Sequence, residues 1–164
     1  MNGRVIHPFE PVIGERSRLL ILGTMASVKS REYGFYYMHP QNRFWPVIAT
    51  IFGVPVPETN EGKTKLLLEN DIALWDVLAS CDITGSGDAS IKNAVCNDIG
   101  ALIKGKQIER ILCNGGKAYT LYMQNFNFPL PVVKMPSTSP ANASWSIERL
   151  TSAWRAELLG WERI

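Results

Sequence analysis

Residues 36–45, with the sequence YYMHPQNRFW, concentrate groups that could do chemistry. The segment combines aromatic rings, one histidine and the carboxamide of Asn42. Tyr36 and Tyr37 lie in a loop with no core of its own, so we expect both rings to be exposed. Exposed rings next to the N-terminus of a helix form a platform for a flat, partly anionic ligand.

A helix is predicted to follow Asn42. Apolar residues recur there at the helical period, namely Phe44, Val47, Ile48, Ile51 and Phe52. Asn42 then stands at the N-cap and Pro46 falls in the first turn, and both residue types favour these positions. The Asn42 amide can therefore be a plain cap or can face a ligand, and its chemistry alone supports the two roles equally.

Three other segments place polar residues directly after a predicted strand. Residues 23–27 (GTMAS) begin with Gly23, which allows close approach of the backbone to a ligand, although an ordinary turn is the simpler interpretation. Asp76 ends a second strand, where it is either a ligand-binding group or a turn former. Residues 136–142 (PSTSPAN) follow a third. Ligands bind beyond the carboxyl ends of such strands, so we expect these segments to share one cleft.

These segments carry a resemblance to a known family. Residues 39–45 (HPQNRFW), preceded by an aromatic residue, resemble a motif in the mismatch-specific branch of the uracil-DNA glycosylase superfamily. Residues 23–27 and 136–140 match two further motifs in the same order. Within the superfamily the chain is most similar to the hypoxanthine-DNA glycosylase family, and the resemblance covers most of the chain.

The resemblance implies roles for individual residues. Asn42 matches the catalytic asparagine, whose carboxamide would hold the attacking water. Tyr37 matches the aromatic residue that stacks on the base; its alternative role is a rim residue over the core. Gly23, Thr24 and Met25 match a base-binding loop. Relatives carry Asp or Asn where Met25 stands, and a thioether cannot polarise water, so the water must be held elsewhere.

The resemblance also implies how base and backbone are bound. Trp75 and Asp76 fall where relatives often place a base-reading asparagine, and an acidic side chain there could accept from the N1–H of hypoxanthine. Cations and hydroxyl groups suit phosphate contacts, which are expected from Lys29, Arg31, Ser137, Thr138, Ser139 and Asn142. Ala141 matches the residue that fills the gap left by the flipped nucleotide, but it is small, so Asn142 could take that place.

Alternating strands and helices predict an α/β fold. Apolar runs without clean alternation, as in parallel strands buried on both faces, occur at 19–22, 72–78, 110–113 and 131–134. Helices are predicted at 61–69, after Asp98, at 117–125 and at 147–159. Residues 80–97 are expected to form an irregular surface excursion. Right-handed crossovers then give a three-layer α/β/α sandwich around a four-stranded parallel sheet, as a single domain over residues 1–164.

Composition limits the classes of function. The 164 residues carry a net charge of only +2, which permits nucleic-acid binding without requiring it. Cys81, Cys96 and Cys113 are too few for a four-cysteine iron–sulfur cluster, and with two histidines in the chain no cofactor or metal is expected. No apolar run reaches the ~20 residues of a membrane span, and the first ten residues lack a signal peptide's apolar region. We therefore expect a cytoplasmic monomer with no membrane association.

Together, residues and resemblance predict a monofunctional DNA glycosylase of base excision repair, which hydrolyses the N-glycosidic bond of a deaminated base, with hypoxanthine favoured. No lysine lies at a matched catalytic position, so neither a Schiff base nor strand nicking is expected. One alternative is a glycosylase for uracil or thymine in mismatches. Another is a non-catalytic nucleic-acid-binding domain on the same fold, for which Met25 is the best argument.

Overall fold

Helices separate the strands of the central sheet along the chain, as the sequence predicts. A computed structural model describes residues 2–7, 9–26, 28–84 and 91–160. The elements are β1 (Asn2–Ile6), β2 (Leu19–Gly23), α1 (Val28–Tyr33), α2 (Phe44–Ile51), α3 (Asn60–Glu69), β3 (Ile72–Asp76), β4 (Leu78–Thr84), β5 (Lys92–Cys96), α4 (Ile99–Ile103), β6 (Arg110–Asn114), α5 (Gly116–Asn125), β7 (Val132–Met135) and α6 (Ile147–Leu159).

Four strands form the parallel sheet that the apolar runs predict. Its order is β3-β2-β6-β7, and every neighbouring pair is parallel. Strands β2 and β6 are buried along their whole length, because helices cover both faces of the sheet. Residues Ile21, Leu74 and Leu112 face a cluster built with α2, α3 and α6. Alternate strand residues face a second cluster with α4 and α5, so the predicted three-layer α/β/α sandwich is confirmed.

A second sheet corrects the prediction for residues 80–97. There β4 pairs with β1 and β5, both antiparallel, in the order β1-β4-β5. Residues 85–90 of the predicted excursion lie outside the described residues. The side chains of β5 are largely exposed, so this strand shows no apolar alternation; backbone pairing with β4 stabilises it instead. The predicted strand 72–78 is also divided at Val77, whose N–H donates to the Gly23 carbonyl at 2.8 Å.

Helix boundaries follow local capping chemistry. Asp98 accepts from the N–H of Ala101 and caps α4, as predicted. Helix α6 begins after Ser146, which accepts from Arg149, and Gly160 ends it. In the described part of the chain, no helix is both long and apolar enough to cross a membrane.

Candidate active site

The carboxyl ends of the parallel strands open into one cavity of about 430 Å³. It lies where the topology of an open parallel sheet places a ligand. Its lining comes from the segments that follow β2, β3, β6 and β7 and from the loop before α2, and consists of Gly23, Thr24, Met25, Ala26, Ser30, Tyr36, Tyr37, His39, Asn42, Asp76, Asn114, Ser137, Thr138, Ser139, Pro140 and Ala141. The expected convergence of Tyr37, Asn42, Asp76 and Ser139 on one cleft is therefore present.

Asn42 lies one residue earlier than predicted relative to its helix. The N-cap of α2 is Arg43, which makes no side-chain cap bond. The Oδ1 atom of Asn42 nevertheless accepts from the N–H of Phe44 at 2.9 Å, so its carboxamide is oriented by the helix start. A carbonyl oxygen has two lone pairs, so Oδ1 keeps one for a further donor such as water.

His39 lies beside Asn42 in the cavity lining and is expected from sequence to be a structural hydrogen-bonder. Its Nδ1 atom accepts from the N–H of Gln41 at 3.1 Å. An accepting Nδ1 carries no hydrogen, so the neutral ring holds its hydrogen on Nε2. His39 therefore offers the cavity a donor and is poorly suited to act as a base.

The expectation that both rings are exposed is wrong for Tyr36, whereas Tyr37 is half-buried. Tyr36 is 2% exposed, and its hydroxyl donates to the carbonyl of Glu10 at 2.8 Å. Tyr37 stacks on Phe44 with ring centroids 4.3 Å apart and an interplanar angle of 29°. The Tyr36 ring is buried because the segment before β2 and helix α2 supply a core that the loop sequence itself does not contain. Phe44 and Trp45 belong to that core.

Tyr37 carries two unfavourable features at once. Its φ angle is +56°, in the left-handed region that non-glycine residues rarely adopt. Its hydroxyl is buried and makes no hydrogen bond of normal geometry to any described residue. Burial raises the pKa of Tyr37, and the charge of Asp76 raises it further, while the nearby Asn114 amide offsets part of the rise. Features of this kind cluster at ligand-binding sites.

Gly23 is required by its neighbours. A Cβ atom at this position would lie 2.4 Å from Oδ1 of Asp76 and 2.7 Å from the hydroxyl oxygen of Tyr37. The sequence predicts a close approach of a ligand to Gly23; the structure adds a close approach of two side chains. Thr24 and Met25, the other predicted members of this loop, also line the cavity.

Asp76 is buried in a pair that the sequence did not predict. Its Oδ2 atom lies 2.7 Å from Nε2 of His7, and each side chain is 4% exposed. His7 directly follows β1, and the pairing of β1 with β4 brings it next to the end of β3. Trp75, its predicted partner in base binding, points away from Asp76 by strand alternation and packs in the core clusters on the sheet.

Asn114 and Thr138 join two loops of the cavity. The Asn114 Oδ1 atom accepts from the Thr138 N–H at 3.1 Å, and its Nδ2 donates to the Thr138 hydroxyl at 3.0 Å. The Thr138 carbonyl accepts from the N–H of Arg43 at 3.0 Å. Thr138 is only 1% exposed, so we assign it to support of the loop instead of the predicted phosphate contact.

Arg43 also holds the loop that follows β7. Its guanidinium donates to the carbonyls of Trp145, Ser139 (2.8 Å) and Asn142 (3.0 Å). These bonds hold a loop that has no regular secondary structure. Asn142, a predicted DNA contact, donates its amide to the Ser137 carbonyl at 3.0 Å and so stabilises the same loop.

The other predicted DNA contacts differ in their setting. The hydroxyl oxygens of Ser137 and Ser139 each accept a backbone N–H, from Ser139 and Ala141 respectively, at 3.1 Å. Both hydroxyl hydrogens stay available to donate to a phosphate oxygen. Arg31 lies in the last turn of α1. The Lys29 side chain and Ser27 lie outside the described part of the structure.

The chain that forms this cavity and sheet matches a known family. The family model of the uracil DNA glycosylase superfamily matches residues 11–159. The chain belongs to the uracil DNA glycosylase superfamily. The predicted family is therefore confirmed, and the cavity occupies the carboxyl edge of a superfamily sheet.

Relatives within the superfamily cover most of the chain. A Methanosarcina acetivorans protein named hypoxanthine DNA glycosylase is 34% identical over 152 residues, which are 90% of this chain and 94% of the relative. A Methanosarcina barkeri protein of the same name is 33% identical over 112 residues, 67% of this chain and 71% of the relative. The solution NMR structure of a candidate uracil DNA glycosylase from M. acetivorans has a TM-score of 0.78 and 31% identity, covering 96% of this chain and 97% of that one.

Sequence reasoning missed three residues that build this superfamily site, namely His7, Arg43 and Asn114. Asn114 follows a predicted strand, a position that could have signalled it. Arg43 lies within the matched motif, yet its partners are carbonyl groups about 100 positions away, which no local pattern shows. His7 had no signal, because β1 was not predicted.

Proposed function

We propose that this protein is a monofunctional DNA glycosylase that releases hypoxanthine from DNA. The observation that carries the proposal is the cavity at the sheet edge, which combines a carboxamide, a stacked aromatic ring and a buried carboxyl group. Its volume of about 430 Å³ lies in the range of small-molecule sites, which suits one extrahelical nucleotide. The relatives that carry the name hypoxanthine DNA glycosylase support the same substrate.

The base is bound between Tyr37 and the floor of the cavity. One face of the Tyr37 ring lies on Phe44, so the ring is held rigidly and stacks on the flipped base with its other face. Asp76 reaches the same cavity and accepts from the N1–H of hypoxanthine. Ser137 and Ser139 donate to the DNA backbone, which fixes the register of the strand.

Asn42 positions the water. Its Oδ1, held by the Phe44 N–H, accepts a hydrogen of the water and leaves an oxygen lone pair directed at C1′. The C1′–N9 bond breaks with its electron pair on the base, the water oxygen bonds to C1′, and one water proton ends on the base. An amide is a poor base, but a loose, oxocarbenium-like transition state needs little activation of the nucleophile.

The product is an abasic site in an intact strand. Among the described residues, no lysine lines the cavity, so no amine is placed to form a Schiff base with C1′. We therefore propose hydrolysis alone, with strand cleavage only after alkali. The monomeric state and cytoplasmic location expected from sequence stay predictions.

Uracil is the second candidate substrate. Its N3–H is a donor like the N1–H of hypoxanthine, so an acceptor at Asp76 serves both bases. A stacking ring is equally tolerant, because every base has a π-face. The cavity therefore favours a base with a ring N–H and excludes no deaminated pyrimidine by hydrogen bonding alone.

An incision assay tests the proposed function. Duplexes that each contain one hypoxanthine, uracil, xanthine or mismatched thymine are incubated with excess protein and then cleaved with alkali. We expect the fastest release from hypoxanthine and no cleavage before alkali. Binding without release from any duplex would instead identify a non-catalytic DNA-binding domain.

Asn42→Ala tests the catalytic assignment. We expect single-turnover release to fall by about 100-fold or more, the usual size for loss of a positioning or acid–base group, with DNA affinity nearly unchanged. Asn42→Asp is the matched control, because it keeps an oxygen that accepts from Phe44. If both variants are folded and release the base at the wild-type rate, Asn42 only stabilises the start of α2 and is not catalytic.

A further inference from the structure

The His7–Asp76 pair holds a proton whose presence follows from its hydrogen bonds. The Nδ1 atom of His7 lies 2.9 Å from the carbonyl oxygen of Phe9. A carbonyl can only accept, so Nδ1 carries a hydrogen. In a neutral ring Nε2 would then have only a lone pair, which would repel a carboxylate oxygen at 2.7 Å. A second proton must therefore lie between Nε2 and Oδ2 of Asp76.

The surroundings fix the pair in this orientation. The imidazole packs edge-on against Phe9, with centroids 4.8 Å apart, and lies 5.8 Å from the Tyr36 ring. Both ring nitrogens have an oxygen partner. A flipped ring would place carbon atoms opposite these oxygens and lose both hydrogen bonds. The His7 N–H also donates to the Ala79 carbonyl at 2.7 Å, so backbone and side chain are both held.

We propose that His7 and Asp76 share one proton, so that Asp76 offers its Oδ1 atom to the flipped base as an acceptor without net charge. This inference rests on the proposed function and adds His7 to it as a positioning residue. Whether the shared proton lies nearer Nε2 or Oδ2, Oδ1 carries none and stays an acceptor. The Gly23 contact places Oδ1 at the cavity end of the carboxyl group.

Neutrality at this place favours the reaction. Cleavage of the C1′–N9 bond puts negative charge on the base, and a lone carboxylate at the base edge would oppose that charge. Burial makes the repulsion stronger, because little water screens it. The His7 proton removes this repulsion and keeps the hydrogen bond that reads the ring N–H.

Among the described residues, three groups near the pair stay uncharged at ordinary pH, while His39 lines the same cavity. Tyr36 and Tyr37 face it from the loop before α2, and burial raises the pKa of both. Burial raises the pKa of Cys113, at the end of β6, to about 12. The remaining charge near Tyr36 is the exposed carboxylate of Glu10.

Nitrogen-15 NMR of the imidazole rings in the free protein tests the shared proton directly. We expect His7 to show a hydrogen on Nδ1, with Nε2 either protonated or bare against a protonated Asp76. A neutral ring with its hydrogen on Nε2 and a bare Nδ1 at pH 7 would overturn the proposal. This measurement needs no DNA, so its result does not depend on the proposed glycosylase function. Failure of that function is detected separately by the incision assay.

Kinetics of three variants test the consequence. His7→Gln leaves a buried carboxylate without its proton, and we expect single-turnover release of hypoxanthine to fall about 100-fold, with affinity for undamaged DNA unchanged. Asp76→Asn keeps a neutral acceptor and a donor toward His7, so its loss should be smaller, at most about 10-fold. The double variant restores neutrality and should release the base at least 10-fold faster than His7→Gln alone.

Rescue by the double variant separates this role from simple support of the fold. If His7 only supported the fold, a second substitution at Asp76 would give no reason for the rate to recover. A double variant no faster than His7→Gln would therefore refute charge compensation. If His7→Gln proves unfolded by circular dichroism, the NMR result on the wild type decides.

Discussion

Tyr36 and Tyr37 are adjacent in the chain, yet their hydroxyl groups are in opposite hydrogen-bonding states. The Tyr36 hydroxyl donates to the Glu10 carbonyl at 2.8 Å. The Tyr37 hydroxyl is buried and makes no hydrogen bond of normal geometry to the described residues. Removal of each oxygen by substitution with phenylalanine should therefore change the free energy of unfolding with opposite sign.

The expected magnitudes follow from these contacts. A buried polar group without a partner costs about 1–3 kcal/mol, and the nearby Asn114 amide puts Tyr37 at the lower end. We expect Tyr37→Phe to raise the free energy of unfolding by about 1 kcal/mol. Tyr36→Phe loses a formed hydrogen bond, which should lower it by about 0.5–1.5 kcal/mol. For 164 residues, each kcal/mol moves the Tm by about 2–4 °C.

Thermal unfolding followed by circular dichroism measures both variants, and incision of a hypoxanthine duplex measures their activity. We expect Tyr37→Phe to be more stable yet about 10-fold slower, because one hydrogen bond to a ligand contributes about 1.4 kcal/mol. The ring and its stacking on Phe44 are unchanged in this variant. If Tyr37→Phe lowers the Tm as much as Tyr36→Phe does, the hydroxyl has a partner in the free protein and the reasoning fails.

Further perturbations test other parts of the site and its contact with DNA. Gly23→Ala should slow excision about 100-fold in single-turnover assays, because its Cβ would displace the Asp76 carboxyl group, and a wild-type rate would contradict this. Arg43→Lys should lower the free energy of unfolding, measured with urea, by about 1–3 kcal/mol, because an ammonium cannot reach the same three carbonyls. A change below about 0.5 kcal/mol would show that these Arg43 hydrogen bonds do not stabilise the loop. DNA affinity measured by fluorescence anisotropy should fall with salt at a shallow slope, since the net charge is only +2, and alanine at Lys29 and Arg31 should weaken binding to all sequences alike. An affinity that does not change with salt would show that the protein does not contact the phosphate backbone of DNA.

The central sheet could be predicted because its strands are buried on both faces. Continuous apolar runs such as those of β2 and β6 have no other simple interpretation when helices separate them. The second sheet lacks this signal. Strand β5 is largely exposed, and pairing with β4 determines it, so its sequence resembles a loop.

The convergence of residues on one cavity could be predicted where position along the chain determines position in space. Asn42, Asp76 and Ser139 each follow a strand or precede a helix at the carboxyl edge, and all three line the cavity. Burial could not be read from the same residues. Tyr36 and Tyr37 appear exposed in sequence because the core that covers them comes from distant segments, and His7 reaches Asp76 only through an unpredicted strand.

The two walls of the cavity differ in how their polar groups are satisfied. On one wall, Asn114 and Thr138 bond each other, and Arg43 donates to backbone carbonyls of the last loop, so that this loop is held in place. On the other wall, Tyr37 keeps a left-handed backbone and a buried hydroxyl without a hydrogen bond of normal geometry. Each of these features costs about 1–3 kcal/mol, and they persist because the surrounding packing determines the loop. A ligand that donates or accepts a hydrogen bond at an unsatisfied group can recover part of this free energy. We therefore expect the base to bind against Tyr37 and Asp76, and the DNA backbone to contact the wall whose polar groups are already hydrogen-bonded.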